Sequence, residues 1–240
     1  MQDPTRRQFL GHLSILPVVA GGGLSLAKFA NAAEDEPGTD PESAVKEQTT
    51  APRKVWLTFD DGPEPGPTDK VLDVLAKHEI PASFFVIGRK VERNGTKLLE
   101  RMVKDGHLVG NHTFTHPHLA ELTESQVRKE IEDCQKQIDS FMKGERLMRP
   151  PYGSRNEMVD RVVEEMGFDQ VMWSVDTNDW RRENRPDKWV QVGLEALKRQ
   201  QESVVLMHDM HQTTADHVDF FIEQIKALGP VEFFNAKPPA

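Results

Sequence analysis

From residue 54 onward the chain alternates between two hydrophobic rhythms. Short β-favouring apolar runs predict strands at residues 55–59, 83–87, 108–110, 170–175, 204–207 and 231–234. Between them, apolar positions recur three and four residues apart, the spacing of one helix face. These segments are residues 68–78, 95–105, 123–141, 157–166, 187–199 and 215–228. Thr123 followed by Gln126 has the form of a capping box and marks one helix start. Gly106, Gly167 and Gly229 follow three of the helices as stops. Strands alternating with helices over this length predict an α/β architecture with a parallel sheet, either open and doubly wound or closed into a barrel. Both arrangements hold ligands at the carboxyl ends of the strands.

Residues 1–53 carry neither rhythm. Arg6-Arg7 precede a mildly apolar stretch, residues 10–26, that His12, Pro17 and Gly21-Gly22-Gly23 interrupt, so it makes a poor membrane span. It ends in Ala30-Asn31-Ala32, a small-residue cleavage pattern. Residues 1–32 therefore read as a twin-arginine export signal cut after Ala32, with an uncleaved anchor as the alternative. Residues 33–53 are acidic and rich in Pro, Thr and Ser, the composition of a flexible linker. One folded domain is thus expected at 54–240, delivered to the periplasm or outside the cell.

The formal net charge of −9 sets nucleic acid and anionic membrane aside as main partners. A mean hydropathy of −0.58 fits a soluble domain. Export leads to an oxidising compartment, yet Cys134 is the single cysteine and admits no internal disulfide. Its amphipathic helical setting makes it a small core residue.

Ionisable residues collect where four predicted strands end. Asp60-Asp61 close the first, His112 and His116 follow 108–110, Asp176 and Asp179 follow 170–175, and His208-Asp209 follow 204–207. On a helical turn the H-x-x-x-H spacing puts both imidazoles on one face. Two His and one Asp from another strand make a three-ligand set with positions left open for water and substrate. One of Asp60 and Asp61 then ligates while the other accepts a proton, and the spacing does not say which. His208 suits protonation of a leaving amine, with Asp179 as the carboxylate that keeps the imidazole charged and oriented. Arg149-Pro150-Pro151-Tyr152-Gly153 is a stiff corner able to aim a main-chain N–H at an oxyanion. Its Arg149 is available to pair with the catalytic carboxylate. Trp180 and Leu206, near two strand ends, suit the walls of a small apolar slot.

Five segments, taken in order, resemble the motifs of the polysaccharide deacetylases, the carbohydrate esterase family 4 enzymes built on the NodB-homology domain. They are Thr58-Phe59-Asp60-Asp61-Gly62-Pro63, His112-Thr113-Phe114-Thr115-His116, Arg149-Pro150-Pro151-Tyr152-Gly153, Asp176-Thr177-Asn178-Asp179-Trp180 and Leu206-Met207-His208-Asp209. The likeness covers nearly all of the chain from Lys54 to the last predicted helix. It implies a distorted (β/α) barrel of TIM-barrel type and a divalent metal, most often Zn2+, with Co2+, Ni2+ or Mn2+ as substitutes. It also implies removal of N-acetyl groups from amino-sugar polymers.

Position by position, the resemblance implies Asp61, His112 and His116 as metal ligands, Asp60 as general base and Arg149 as its orienting residue. His208 matches the general acid and Asp179 its partner. The Tyr152 backbone N–H, beside Pro151, matches the oxyanion donor, and Trp180 and Leu206 the walls of the acetyl-methyl pocket. No catalytic position is missing. His118 and His211 match no role and read as surface or loop histidines.

The implied partner is an acetylated glycan of peptidoglycan, poly-N-acetylglucosamine or chitin type, met by a monomer with no stable membrane span in its mature form. Three other readings compete: an O-acetyl esterase on a xylan-type polymer, a non-haem iron oxygenase using the same two-His, one-carboxylate set, and a non-catalytic glycan-binding module. Paired Asp60-Asp61 together with His208 favour hydrolysis.

Overall fold

The strand that organises the domain is β1 (Arg53–Asp60), buried from Val55 to Asp60. A parallel strand covered on both faces needs a continuous apolar run instead of alternation, and Val55-Trp56-Leu57-Thr58-Phe59 supplies one. The computed structural model describes residues 51–235 apart from Lys143, and Asn94 by its backbone alone. The expected export signal and nearly all of the expected linker lie outside the described residues.

Along one edge of β1 runs β7 (Glu202–His208), paired from Lys54↔Glu202 to Asp60↔His208. The other edge is shared. β8 (Val231–Phe234) pairs with its first half, and β2 (Ser83–Val86) with its second, from Thr58↔Ser83 to Asp60↔Phe85. Beyond β2 come β3 (Leu108–Asn111), β4 (Leu147–Met148) and β5 (Asp169–Gln170), and beyond β7 comes β6 (Val175–Asp176). All pairings are parallel. The sheet curls into a distorted (β/α) barrel with β5 and β6 at its two edges.

The run at 170–175, expected as one strand, is two short ones separated by Val171–Ser174. The reason is a change of partner. The Val171 N–H donates to Met148 O on β4, whereas the Ser174 N–H donates to Val204 O on β7. Between these, the Arg149 guanidinium occupies the carbonyls of Val171 and Met172, at 2.9 and 3.4 Å. The segment crosses the seam of the barrel and cannot ladder with either side.

Seven helices pack around the sheet among the described residues: α1 (Pro67–His78), α2 (Gly88–Lys90), α3 (Thr96–Lys104), α4 (Glu124–Ile138), α5 (Glu157–Glu165), α6 (Lys188–Leu197) and α7 (Gln212–Ala227). A π-helical turn, Val91–Gly95, joins α2 to α3, so the helix expected at 95–105 has an unforeseen N-terminal extension. The two-residue β4 also went unforeseen, and α7 starts before the expected Ala215. The capping box holds, with Gln126 Oε1 accepting the Thr123 N–H at 2.9 Å. Gly106, Gly167 and Gly229 stand just beyond α3, α5 and α7 at φ of 87°, 72° and 125°. The main core lies between β1, β2 and β7 and the helices outside them, with Phe59 stacked on Phe84 at 5.1 Å. Cys134 is buried there, as expected of a core residue. No helix of the described residues is long and apolar enough to cross a membrane.

Candidate active site

Parallel register gathers the chemistry at one end of the sheet. Asp60, the last residue of β1, is the Cα partner of His208, the last of β7. Both lie on the wall of one cavity of about 420 Å3, together with Asp61, His112, His116 and Tyr152. Four separate strand ends therefore meet at one hollow, as the alternating pattern predicted.

Backbone strain is concentrated there. Six non-glycine residues among those described have positive φ, and five flank the site: Asp61 (71°), Thr113 (64°), His116 (69°), Tyr152 (59°) and Asn178 (54°). A β-branched residue such as Thr113 rarely adopts this conformation, so its surroundings must impose it. They do so with hydrogen bonds. The Thr113 N–H donates to Asn111 Oδ1 at 2.8 Å, its carbonyl accepts the Gly88 N–H, and its Oγ1 accepts the His116 N–H.

This geometry corrects one expectation. The H-x-x-x-H segment is a loop, and the imidazoles meet because two left-handed residues fold it back, with ring centroids 4.9 Å apart. Glu130, on α4, secures the loop from behind. Its Oε2 accepts the N–H groups of Phe114 (3.0 Å) and Thr115 (2.8 Å), and its Oε1 accepts the Thr115 hydroxyl. Nothing in the sequence singled out Glu130, because its partners are backbone groups that spacing does not reveal.

Asp61, His112 and His116 come together as a triad. Asp61 Oδ1 lies 2.9 Å from His116 Nε2 and 3.4 Å from His112 Nε2. Burial opposes the Asp61 charge, but hydrogen bonds and charge from the two imidazoles hold its carboxyl well below the usual carboxylate range. Meanwhile each histidine's Nδ1 is engaged elsewhere, by the Arg149 carbonyl at 2.7 Å and the Tyr152 hydroxyl at 3.1 Å. Apart from these two rings, no group donates to the buried Asp61 Oδ1. One carboxylate oxygen facing two ring nitrogens whose far sides are occupied is a donor set that fits a divalent cation.

Asp60 is held on the other side by Arg149. The guanidinium is fully buried, and its Nη1 reaches Asp60 Oδ1 at 2.7 Å and Thr58 Oγ1 at 2.8 Å. Burial pulls the Arg149 pKa down, and the Asp60 charge opposes that pull. The cation also lies over the Phe85 ring at 4.2 Å. Asp60 Oδ2 is left 3.7 Å from His112 Nε2, facing the triad.

His208 stands in a different field. Burial disfavours its protonated form, but the charge and hydrogen bond of Asp179 outweigh it and raise its pKa to about 9. Asp179 is itself buried, which raises its pKa, yet His208 and Thr214 bring it below its ordinary value. Trp180 and Leu206 line the cavity, joined by Trp173 and Asp176, which the motifs assigned no role. Pro151 is buried and starts the turn that carries Tyr152. His118 and His211 are loop residues, as expected, but each packs on a site ring. His118 stacks on Tyr152 at 4.0 Å, and His211 lies 5.9 Å from His208.

Comparison with known proteins gives the chain a lineage. Residues 47–171 match the family described as polysaccharide deacetylase. The chain is 38% identical over 178 residues to the peptidoglycan-N-acetylglucosamine deacetylase PgdA of Listeria monocytogenes, covering 74% of this chain but 37% of that protein. It is 43% identical over 159 residues to a chitooligosaccharide deacetylase of Bradyrhizobium, covering 65% of this chain and 71% of that one. Among solved structures, a CE4 family pseudoenzyme from Bacillus anthracis superposes with a TM-score of 0.68 at 27% identity, covering 76% of this chain and 63% of that one. A fold shared with a pseudoenzyme leaves activity to be argued from the site itself.

Proposed function

The chain belongs to the polysaccharide deacetylase family, and from that premise we propose that it hydrolyses N-acetyl groups of an amino-sugar glycan, releasing acetate. One observation carries the reading. The Asp61–His112–His116 triad has an Arg149-held carboxylate on one flank and a carboxylate-held imidazole on the other, in a single cavity.

Asp61, His112 and His116 are the residues that would hold a divalent metal, with Zn2+ the best fit to two imidazoles and one carboxylate. When bound, such an ion polarises a carbonyl and brings the pKa of a water to about 7. The remaining roles belong to the chain. Asp60, fixed by Arg149 through Oδ1, takes a proton from the attacking water as it adds to the acetyl carbon. The oxygen that gains charge meets the Tyr152 backbone N–H. His208 then gives its proton to the departing nitrogen as the C–N bond breaks, leaving acetate and a free amine. Trp180 and Leu206 exclude water from around the acetyl methyl.

The relatives' names point to peptidoglycan and chitin-type substrates, and the Arg6-Arg7 signal supports export to where such glycans occur. Acetate release from N-acetylglucosamine oligomers and peptidoglycan strands tests the proposal, with O-acetylated xylan in parallel. Release from an N-acetylated polymer, abolished in Asp60→Asn, supports it. Release from xylan alone moves the activity to ester cleavage, and release from none overturns it.

A further inference from the structure

The two histidines of the triad are not held alike. His112 Nδ1 donates to the main-chain carbonyl of Arg149 at 2.7 Å, within a fully packed interior. His116 Nδ1 meets a side chain, the Tyr152 hydroxyl, at 3.1 Å. Arg149 and Tyr152 belong to one stiff corner, so a single short segment grips the far nitrogen of both imidazoles.

Tyr152 is the sole tyrosine of the chain, against twelve phenylalanines, so a phenol here is not compositional drift. The residue is also 61% exposed, which burial of apolar area does not explain. What fixes the ring is local. His118 stacks on it at 4.0 Å and 18°, the backbone is in the left-handed region at φ 59°, and the His116 ring lies 4.5 Å away. A hydroxyl on Nδ1 fixes the rotation of the ring, which keeps Nε2 turned toward Asp61, 2.9 Å from Oδ1.

We propose that the Tyr152 hydroxyl is a positioning residue for the metal. By fixing the orientation of the His116 ring it strengthens metal binding, a role separate from any made by its backbone N–H. The proposal rests on the metal-dependent reading above, and Tyr152→Phe isolates it, because that change keeps the ring, the stack and the main chain.

The test is metal affinity itself, measured by competition of Zn2+ between the protein and a chromophoric chelator. The absorption of the Co2+ form reports ligand geometry, and the melting temperature of the metal-free protein serves as the folding control. The expected result for Tyr152→Phe is about tenfold to hundredfold weaker Zn2+ binding and an altered Co2+ spectrum at an unchanged metal-free melting temperature. Wild-type affinity and an unchanged spectrum in Tyr152→Phe overturn the assignment alone. A wild-type protein that takes up no divalent metal overturns it together with the functional reading.

Discussion

Asp179 holds His208 at two points: its Oδ1 lies 2.8 Å from the ring Nδ1, and its Oδ2 accepts the His208 backbone N–H at 2.8 Å. The same Oδ2 accepts the Thr214 hydroxyl at 2.7 Å, so the carboxylate is fixed before it fixes the ring. An imidazole held this way stays protonated well past neutrality, its pKa raised to about 9 by the Asp179 charge and hydrogen bond against the pull of burial.

The pH dependence follows with a definite sign. A folded pKa raised from 6.5 to about 9 contributes stability that is fully present below 6.5 and lost as pH rises through 9. Its size is on the order of 3 kcal/mol. Asp179→Asn removes the raising charge and leaves burial, which lowers the pKa. Metal-free Asp179→Asn should therefore lack the wild type's loss of stability between pH 7 and pH 9, seen in denaturant melts across that range. Its alkaline limb of kcat should also move towards neutrality. An unchanged limb removes His208 from the role of acid.

Asp60 and Arg149 form a buried ion pair, so the proposed base and the fold are coupled. Asp60→Asn should lower kcat by about 100-fold or more, through loss of the proton acceptor. It should also destabilise the domain by up to about 3–5 kcal/mol, because the guanidinium keeps no counter-charge. Arg149→Lys is no conservative swap here: an ammonium cannot reach Thr58, Asp60, Val171 and Met172 together. Kinetics and chemical denaturation on both variants separate the two effects. An Asp60→Asn protein with near-normal turnover excludes Asp60 as the base.

Much of this site was legible from the chain, and the reason is register. In a parallel sheet every strand ends on the same side, so Asp60, His112, Asp179 and His208 converge once the strands are recognised. What stayed hidden was made by partners distant in sequence. The 170–175 run looked like one strand because its residues favour β structure. It breaks because its two ends pair with different strands, β4 and β7, while Arg149 takes the carbonyls between. The histidine pair looked helical by spacing, yet left-handed Thr113 and His116 turn the loop back and Glu130, sixteen residues from Phe114, secures it. Local periodicity carries no record of either contact.

Glu130 supplies a test of that hidden support. Its carboxylate accepts three hydrogen bonds from Phe114 and Thr115, and each bond to a charged acceptor contributes about 1.5–3 kcal/mol. Glu130→Ala should free the loop, raising amide exchange at Phe114 and Thr115 and weakening Zn2+ binding about tenfold, with Asp61 untouched. Glu130→Gln, which keeps one oxygen acceptor, should fall between. Wild-type exchange rates in Glu130→Ala would show that the left-handed turn holds itself.

Gly62 follows Asp61 of the triad, and its lack of a side chain answers to Asp209. A Cβ on Gly62 would stand 2.3 and 2.4 Å from the Asp209 carboxylate oxygens, closer than any real contact allows. Asp209 has little room to give way. It is fully buried, and its Oδ2 accepts the Thr68 hydroxyl at 2.6 Å. That hydroxyl also accepts the Glu64 N–H, which ties the turn after Gly62 to α1. Gly62→Ala should then destabilise the protein by about 1–3 kcal/mol and shift Asp61 enough to weaken metal binding. Asp209→Ser shortens the obstructing side chain, so the double variant should lose less than the two single losses combined. Melts of all four proteins decide it, since additive losses would mean that the two residues do not share this space.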